Sequence, residues 1–153
     1  MAMADLRERR SVFLADTFSG VVKASSHDTS YRGGEHADTG VDLVVGLAER
    51  CQVAERVRVL VGMFPENNAE LVSDRLALVH IDVDVFDSAR DVLLWAAPRL
   101  VRGGVVVFDD YGFYGCEGVT RMVNEFVTQH QGYRFVHNLN GHAVLIKVAD
   151  HGE

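Results

Sequence analysis

Four aspartates come directly after two apolar runs of the sequence, and they are Asp82, Asp84, Asp109 and Asp110. The two runs, at 76–81 and 105–108, are typical of parallel strands buried on both faces. Because neighbouring parallel strands end at one rim of a sheet, the four carboxylates are expected to converge. Carboxylates at such short distances repel one another, and a hard cation such as Mg²⁺ or Ca²⁺ would relieve the repulsion. The alternative is that the acids only cap the helices that follow them.

Other chemistry-bearing residues give weaker signals. Asp16 also ends an apolar run, where an acid in a doubly wound sheet often binds ribose hydroxyls, although the sequence has neither GxGxxG nor GxxxxGK[ST]. His80 is expected to be a hydrogen-bonded core histidine, whereas His36 and His142 lie in or beside loops, where either could touch a substrate. Cys116 lies near the acids without a paired base, so it is not expected to be a nucleophile.

The elements that must position these residues alternate as β-α-β-α-β-α-β-α-β-β. The predicted strands are 11–16, 56–62, 76–82, 105–109, 133–137 and 142–147, and the predicted helices are 41–51, 67–72, 88–97 and 118–130. This alternation predicts an α/β fold with a mostly parallel sheet and an antiparallel ending. Thr39 is expected to cap the first helix, and Asp84, Asp87 or Ser88 the third. The polar loop 25–38 is expected to be a mobile lid.

Length and composition narrow the class of protein. The 153 residues suit one domain, 1–153, and the net charge of −7 argues against nucleic acid as a partner. No apolar run is long enough to cross a membrane, so a membrane partner is not expected. The two cysteines, Cys51 and Cys116, have no metal-ligand spacing, so they are interpreted as reduced thiols of a cytoplasmic protein.

Three motifs in combination resemble a known family: Asp16-Thr-Phe-Ser-Gly, His80-Ile-Asp-Val-Asp-Val-Phe-Asp-Ser-Ala and Gly103-Gly-Val-Val-Val-Phe-Asp-Asp-Tyr-Gly. From about residue 12 to 147 the chain is similar to the macrocin O-methyltransferase (TylF-type) family of class I S-adenosylmethionine-dependent methyltransferases. The resemblance implies a Rossmann-like class I sheet and Mg²⁺-dependent methylation of a hydroxyl on a sugar or natural-product acceptor, as in antibiotic biosynthesis.

The resemblance also implies roles for individual residues. Asp82 would be a metal ligand and the general base, and Asp109 and Asp110 would be the other metal ligands. The implied cofactor-binding residues are Asp16, Thr17 and Phe18 on the ribose side and Gly62, Met63 and Phe64 beside the adenine.

The chain departs from the family in one respect. Members have an earlier strand and a glycine-rich turn that hold the methionine end of the cofactor, whereas residues 1–10 are interpreted as the tail of the helix that follows that turn. The chain is then an N-terminally truncated fragment, or the strands ending at Asp16 and Asp82 pair directly, or another chain fills the gap. We therefore expect weak cofactor binding and self-association into a homo-oligomer, because a central strand would be absent.

Two alternatives to the methyltransferase remain open at this point. One is a catalytically impaired fragment or binding partner that retains the acidic metal site. The other is a metal-dependent phosphatase or hydrolase that uses the same carboxylates.

Overall fold

The computed structural model describes residues 10–72 and 75–149. The strands are β1 (Val12–Asp16), β2 (Val57–Val61), β3 (Leu76–Ile81), β4 (Leu100–Phe108), β5 (Tyr133–His137) and β6 (Ala143–Lys147), and the helices are α1 (Val41–Arg50), α2 (Phe86–Ala96) and α3 (Glu117–Gln129). The predicted order is confirmed, except that a 3-10 turn, Ala69–Leu71, stands where a short helix was expected. Residues 1–10 were interpreted as the tail of the helix that follows the family's glycine-rich turn. Nearly all of this segment, 1–9, lies outside the described ranges. No helix in those ranges has the length and hydropathy to cross a membrane.

The described strands form two sheets rather than one. Strands β1 and β2 pair in parallel, with Asp16 opposite Val61. The second sheet has the order β3-β4-β6-β5, in which β3 and β4 are parallel and β6 runs antiparallel to both of its neighbours. The antiparallel hairpin is therefore confirmed. Direct pairing of the strands ending at Asp16 and Asp82 is not what the structure shows, because β1 pairs only with β2 and β3 only with β4 among the described residues.

The hydrophobic core lies between one face of the second sheet and helices α2 and α3. The fully buried side chains there include Phe108, Leu93, Leu145, Val106 and Val123. Burial of each such side chain contributes about 1.5–3 kcal/mol to folding. This packing fixes β4, and with it the position of the aspartates that follow that strand.

Strand β3 is less buried than the sequence predicted. Its pattern was read as buried on both faces, but Ile81 alone is buried and Leu78 is 64% exposed. The reason is that β3 is an edge strand of its sheet in the described part of the chain, and α2 and α3 cover only one face.

Helix α2 is capped by a residue far away in the sequence. No side chain at Asp84, Asp87 or Ser88 caps it; instead, buried Asp28 accepts a hydrogen bond from the Phe86 amide at 2.9 Å. The other Asp28 oxygen accepts the Ser25 amide, also at 2.9 Å. The predicted local cap is therefore wrong, since a loop residue occupies the helix N-terminus. Likewise α1 begins after Gly40, with no side-chain cap from Thr39.

The loop 25–38, which is expected to be a mobile lid, makes further contacts in this structure. Besides the Asp28 contacts, Thr29 donates to Glu117 at 2.6 Å, and Val21 bonds through its backbone with Glu35 and Gly34. The loop is thus attached to α2, to α3 and to its own base.

We expect Asp28→Ala to lower the free energy of unfolding by about 1–2 kcal/mol, because it leaves the first amide of α2 without its cap. Urea unfolding followed by circular dichroism measures the change. Asp28→Asn keeps an acceptor oxygen and should cost less, and Asp38→Ala, in the exposed part of the loop, should cost almost nothing. An Asp28→Ala variant as stable as the Asp38→Ala variant would show that the cap contributes nothing.

Candidate active site

The parallel pairing of β3 with β4 brings the aspartates together. Ile81 stands opposite Phe108, and the Asp109 amide donates to the Ile81 carbonyl at 3.0 Å. The residues that follow both strands therefore meet at one end of the pair. We call Asp82, Asp84, Asp109 and Asp110 the acidic rim.

Asp110 is the buried member of the acidic rim. One of its oxygens, Oδ2, accepts hydrogen bonds from the amides of Asp84 at 2.9 Å and Val83 at 3.3 Å. Desolvation is the largest influence on this carboxyl and raises its pKa; the two amide bonds oppose the rise, and the charges of Asp84 and Asp82 add to it. Asp110 thus fixes the turn after β3, and the two amide bonds stabilise its charge only in part.

Asp84 is held by a tyrosine that sequence reasoning missed. Tyr31 donates its hydroxyl hydrogen to Asp84 Oδ1 at 2.6 Å, and His36 lies 3.4 Å from the same hydroxyl. Desolvation, followed by the carboxylate of Asp84, raises the pKa of Tyr31, so the hydroxyl stays protonated. No local pattern could have revealed this contact, because 53 residues separate the two partners.

Cys116 lies against the buried side of the rim. Its sulfur is 3.7 Å from Asp110 Oδ1, and burial, with the negative charge of Asp110, raises the pKa of the thiol to about 12. The thiol is therefore neutral at physiological pH, as expected of a residue that is not a nucleophile.

The tightest group of possible metal ligands differs from the predicted one. In the described residues, single ligand atoms of Asp84, Asp110 and Cys116 lie within 4.8 Å of one another. The predicted trio of Asp82, Asp109 and Asp110 does not reach that spacing within the same residues. A protonated thiol is a poor ligand for Mg²⁺, which prefers oxygen, so the carboxylates are the ligands that this rim offers to a hard cation.

Asp82 is the exposed carboxylate of the rim. Desolvation raises its pKa, and the negative charges of Asp109 and Asp84 raise it further; His80 and His36 partly oppose the rise. A raised carboxyl pKa brings the group closer to neutral pH, which suits a proton acceptor.

Two histidines contact the same oxygen of Asp109. His142 Nε2 lies 2.9 Å and His80 Nε2 lies 3.3 Å from Asp109 Oδ1. The side chain of His80 is 53% exposed, so the expectation of a core histidine is wrong. It projects from the open face of edge strand β3, which the described helices leave uncovered.

The residues predicted to bind a cofactor lie at the end of the other sheet. The Gly62 amide donates to the Asp16 carbonyl at 2.9 Å, and the Phe18 amide donates to Asp16 Oδ1 at 2.7 Å. Gly62 has φ +128°, and a Cβ there would lie 2.9 Å from Asn67 Oδ1, so the turn requires glycine. Met63 donates its amide hydrogen to that same oxygen at 2.8 Å.

The remaining two predicted cofactor residues make structural contacts. Thr17 donates its hydroxyl hydrogen to the Gly20 carbonyl at 2.9 Å. The ring of Phe64 packs edge-on against Trp95 of α2, with ring centres 4.7 Å apart. These contacts hold the loops after β1 and β2 in place around Asp16 and Gly62.

A cleft of about 700 Å³ opens at the loop that follows the acidic rim in the sequence, and no rim residue lines it. It lies between the loop 112–114 and the outer face of α3, where Thr120, Arg121 and Asn124 line it. Tyr114, at 95% exposure, and Phe113 present aromatic rings there. Tyr111 is instead buried and donates its hydroxyl hydrogen to Asn124.

Comparison with known sequences gives consistent matches. A family model described as macrocin O-methyltransferase (TylF) matches residues 2–147. The 8-demethyl-8-(2,3-dimethoxy-alpha-L-rhamnosyl)-tetracenomycin-C 4'-O-methyltransferase of Streptomyces olivaceus is 35% identical over 70% of this chain and 44% of its own length. Mycinamicin III 3''-O-methyltransferase of Micromonospora griseorubida is 30% identical over 82% of this chain and 52% of its own. The chain thus spans about half the length of these curated relatives.

Solved structures show the same fold. The O-methyltransferase NovP superposes on 95% of this chain with a TM-score of 0.78 at 22% identity, which covers 62% of NovP. The calicheamicin methyltransferase CalS11 superposes on 95% of this chain and 64% of its own, with a TM-score of 0.72 at 19% identity. The expected class I methyltransferase fold is therefore confirmed.

We expect Asp82→Asn to make the protein more stable at about pH 7, because it removes one of several repelling charges. The gain should be about 1 kcal/mol or less, since the residue is exposed and water screens its charge. A raised carboxyl pKa means that the folded chain binds more protons than the unfolded chain, so stability falls as pH rises above the ordinary value of about 3.9. Urea unfolding should therefore show the gain at about pH 7 and lose it at about pH 3, where both states are protonated.

Asp38→Asn removes one charge from the exposed loop, away from the rim, and is the matched control. We expect the control to show no comparable gain. An Asp82→Asn variant that is less stable than the parent at neutral pH would contradict the repulsion described here.

Proposed function

The chain belongs to the macrocin O-methyltransferase (TylF) family, and we propose that it transfers a methyl group from S-adenosylmethionine to a hydroxyl of a sugar or other natural-product acceptor, with Mg²⁺ bound at the acidic rim. The observation that carries the proposal is the convergence of four carboxylates at the joint end of β3 and β4. The two relatives described above are O-methyltransferases by name, one of a rhamnosyl-bearing tetracenomycin and one of mycinamicin III, which supports a natural-product acceptor here.

The donor set of the rim fits Mg²⁺. The proposed ligands are carboxylate oxygens of Asp82, Asp109 and Asp110, the kind of atom that this cation prefers. These side chains would have to come closer together than in this structure to share one ion. Desolvation is the largest cause of the raised pKa values of Asp82 and Asp110, and the neighbouring carboxylates add to the rise. When bound, Mg²⁺ would lower the pKa of an acceptor hydroxyl that it contacts.

The cofactor would be held at the end of the first sheet. Asp16 Oδ1 accepts the Phe18 amide, which orients the carboxylate and leaves Oδ2 for ribose hydroxyls. Gly62 offers a turn with no side chain, beside which the half-exposed Met63 can cover an adenine. S-adenosylmethionine supplies the electrophilic methyl group.

Asp82 is the residue that we propose as general base. It is exposed at the rim, so an acceptor hydroxyl can reach its carboxylate oxygens. It would accept the proton of the acceptor hydroxyl while the methyl group passes from the sulfonium sulfur to the hydroxyl oxygen. The methyl C–S bond would break in this transfer, with its electron pair left on the sulfur. The aromatic cleft at 112–114 is the surface on which we propose that the acceptor lies, because Phe113 and Tyr114 offer flat apolar faces to a sugar ring.

One observation favours the second candidate, a catalytically impaired subunit that retains the metal site. Strands β1 and β3 each have an edge with no partner strand among the described residues. An unpaired strand edge can pair with another chain, so we also propose that the protein is a homo-oligomer.

We also propose that the protein is cytoplasmic, because Cys51 and Cys116 are free thiols.

We expect Asp109→Asn to weaken Mg²⁺ binding at least tenfold, since loss of even an outer partner of a metal costs about 10–100-fold. Isothermal calorimetry of the purified chain measures the affinity, and labelled S-adenosylmethionine titrated with and without Mg²⁺ measures the cofactor. The catalytic proposal expects methyl transfer that depends on Mg²⁺. Binding of Mg²⁺ without transfer would favour the impaired subunit instead.

The control for this experiment is Asp38→Asn, which carries the same charge change in the exposed loop. If the triple Asn variant at 82, 109 and 110 binds Mg²⁺ as the parent does, the metal site is elsewhere.

We expect the chain to self-associate, with light scattering after gel filtration as the measurement. Leu78→Lys places a charge on edge strand β3 and should shift the protein toward the monomer. Leu43→Lys is the matched control, because Leu43 on α1 is 63% exposed and Leu78 is 64% exposed. A monodisperse parent monomer, or equal effects of both variants, would refute association through β3.

A further inference from the structure

The turn between β5 and β6 ends beside the acidic rim. Strand β6 pairs with β4 so that Ala143 stands opposite Phe108. The residue before Ala143 is therefore next to the residue after Phe108. This register places His142 Nε2 at 2.9 Å from Asp109 Oδ1.

The hydrogen-bond partners of Asn138 determine which nitrogen of His142 carries the hydrogen. Asn138 Oδ1 accepts the amides of Asn140 at 2.9 Å and His142 at 3.1 Å, so this atom must be the oxygen. The side-chain nitrogen of Asn138, Nδ2, then faces His142 Nδ1 at 2.9 Å. An amide nitrogen only donates, so Nδ1 must accept, and the hydrogen of a neutral imidazole lies on Nε2. His142 accordingly donates to Asp109.

The turn is also packed against the loop that follows the rim. The ring of Phe113 lies so close to Gly141 that it leaves no room for a Cβ, and Gly141 has φ +86°. The backbone amide of Asn138 donates to the backbone carbonyl of His142 at 3.1 Å across the turn. These contacts fix the backbone from which His142 projects.

We propose that His142 is a positioning residue, held by Asn138 as a neutral Nε2–H donor, that orients the Asp109 carboxylate for a divalent cation. The inference rests on the proposed role of Asp109 as a metal ligand. Both imidazole contacts go to Oδ1, which leaves Oδ2 for the cation. His80, at 3.3 Å and largely exposed, is the weaker of the two partners.

Removal of the Nε2–H donor of His142 should lower the affinity for the metal. Carboxylate ligands are themselves held by hydrogen bonds, and loss of such an outer partner costs about 10–100-fold in affinity. His142→Leu should therefore weaken Mn²⁺ binding about tenfold or more, measured by the paramagnetic signal of free Mn²⁺. His142→Gln places an amide N–H near the position of Nε2 and should retain most of the affinity.

The Gln and Leu variants separate positioning from a general structural role. Thermal melts should show both folded, and His27→Leu, in a histidine outside the rim, should leave the Mn²⁺ affinity unchanged. Equal weakening by Gln and Leu, or no weakening by Leu, would overturn the inference.

A second readout does not need a metal. Nitrogen-15 spectra of the imidazole rings should show a slowly exchanging Nε2–H on His142 in the parent, absent from His142→Gln. Because free imidazole also favours this form, the decisive comparison is Asn138→Leu and Asp109→Leu, each of which should speed the exchange of that hydrogen. An Nδ1–H form in the parent, or exchange insensitive to both changes, would refute the inference. A parent that binds no Mn²⁺ but shows the protected hydrogen would instead refute the metal part of the proposed function.

Discussion

The parallel register between β3 and β4 is the constraint on which the candidate site depends. A slip of one residue would turn alternate side chains to the other face of the sheet and would separate Asp82 from Asp109. The register is secured from the other side by β6, whose antiparallel pairing fixes β4 and also delivers His142 to Asp109. The core between the sheet and helices α2 and α3 holds all three strands in place. The acidic rim is thus a product of backbone pairing more than of any side-chain contact.

Within that frame, buried Asp110 has two effects of opposite sign. Its bonds to the Val83 and Asp84 amides order the turn after β3, whereas desolvation and the adjacent carboxylates make its charge costly. Repulsion among carboxylates in such a cluster lowers the stability of the fold. Stability given up at a site in this way is typical of positions that serve binding rather than folding.

Periodicity and apolar runs in the sequence were sufficient to predict the strands, the three α-helices and the closing hairpin, because those signals are local. They were also sufficient for the convergence of acids at one end of β3 and β4. They failed where the partner is remote: Asp28 caps α2, and Tyr31 holds Asp84. The exposure of β3 was mispredicted because an apolar run does not reveal what covers it. The spacing of the metal ligands depends on side-chain rotamers, which no pattern in the sequence encodes.

The contacts of the loop after β1, residues 17–40, affect how the protein folds and unfolds. The Val22 carbonyl accepts the hydroxyl of Ser88, Lys23 pairs with Asp91 at 2.8 Å, and Asp28 bonds the first amide of α2. Each contact closes a stretch of roughly sixty residues, so the entropy of closing such a loop must be overcome before any of them forms. Contacts so distant in sequence slow folding. They also couple the two sheets, so local opening near Asp16 should loosen α2. The loops around Asp16 and the acidic rim are therefore expected to unfold as one cooperative unit.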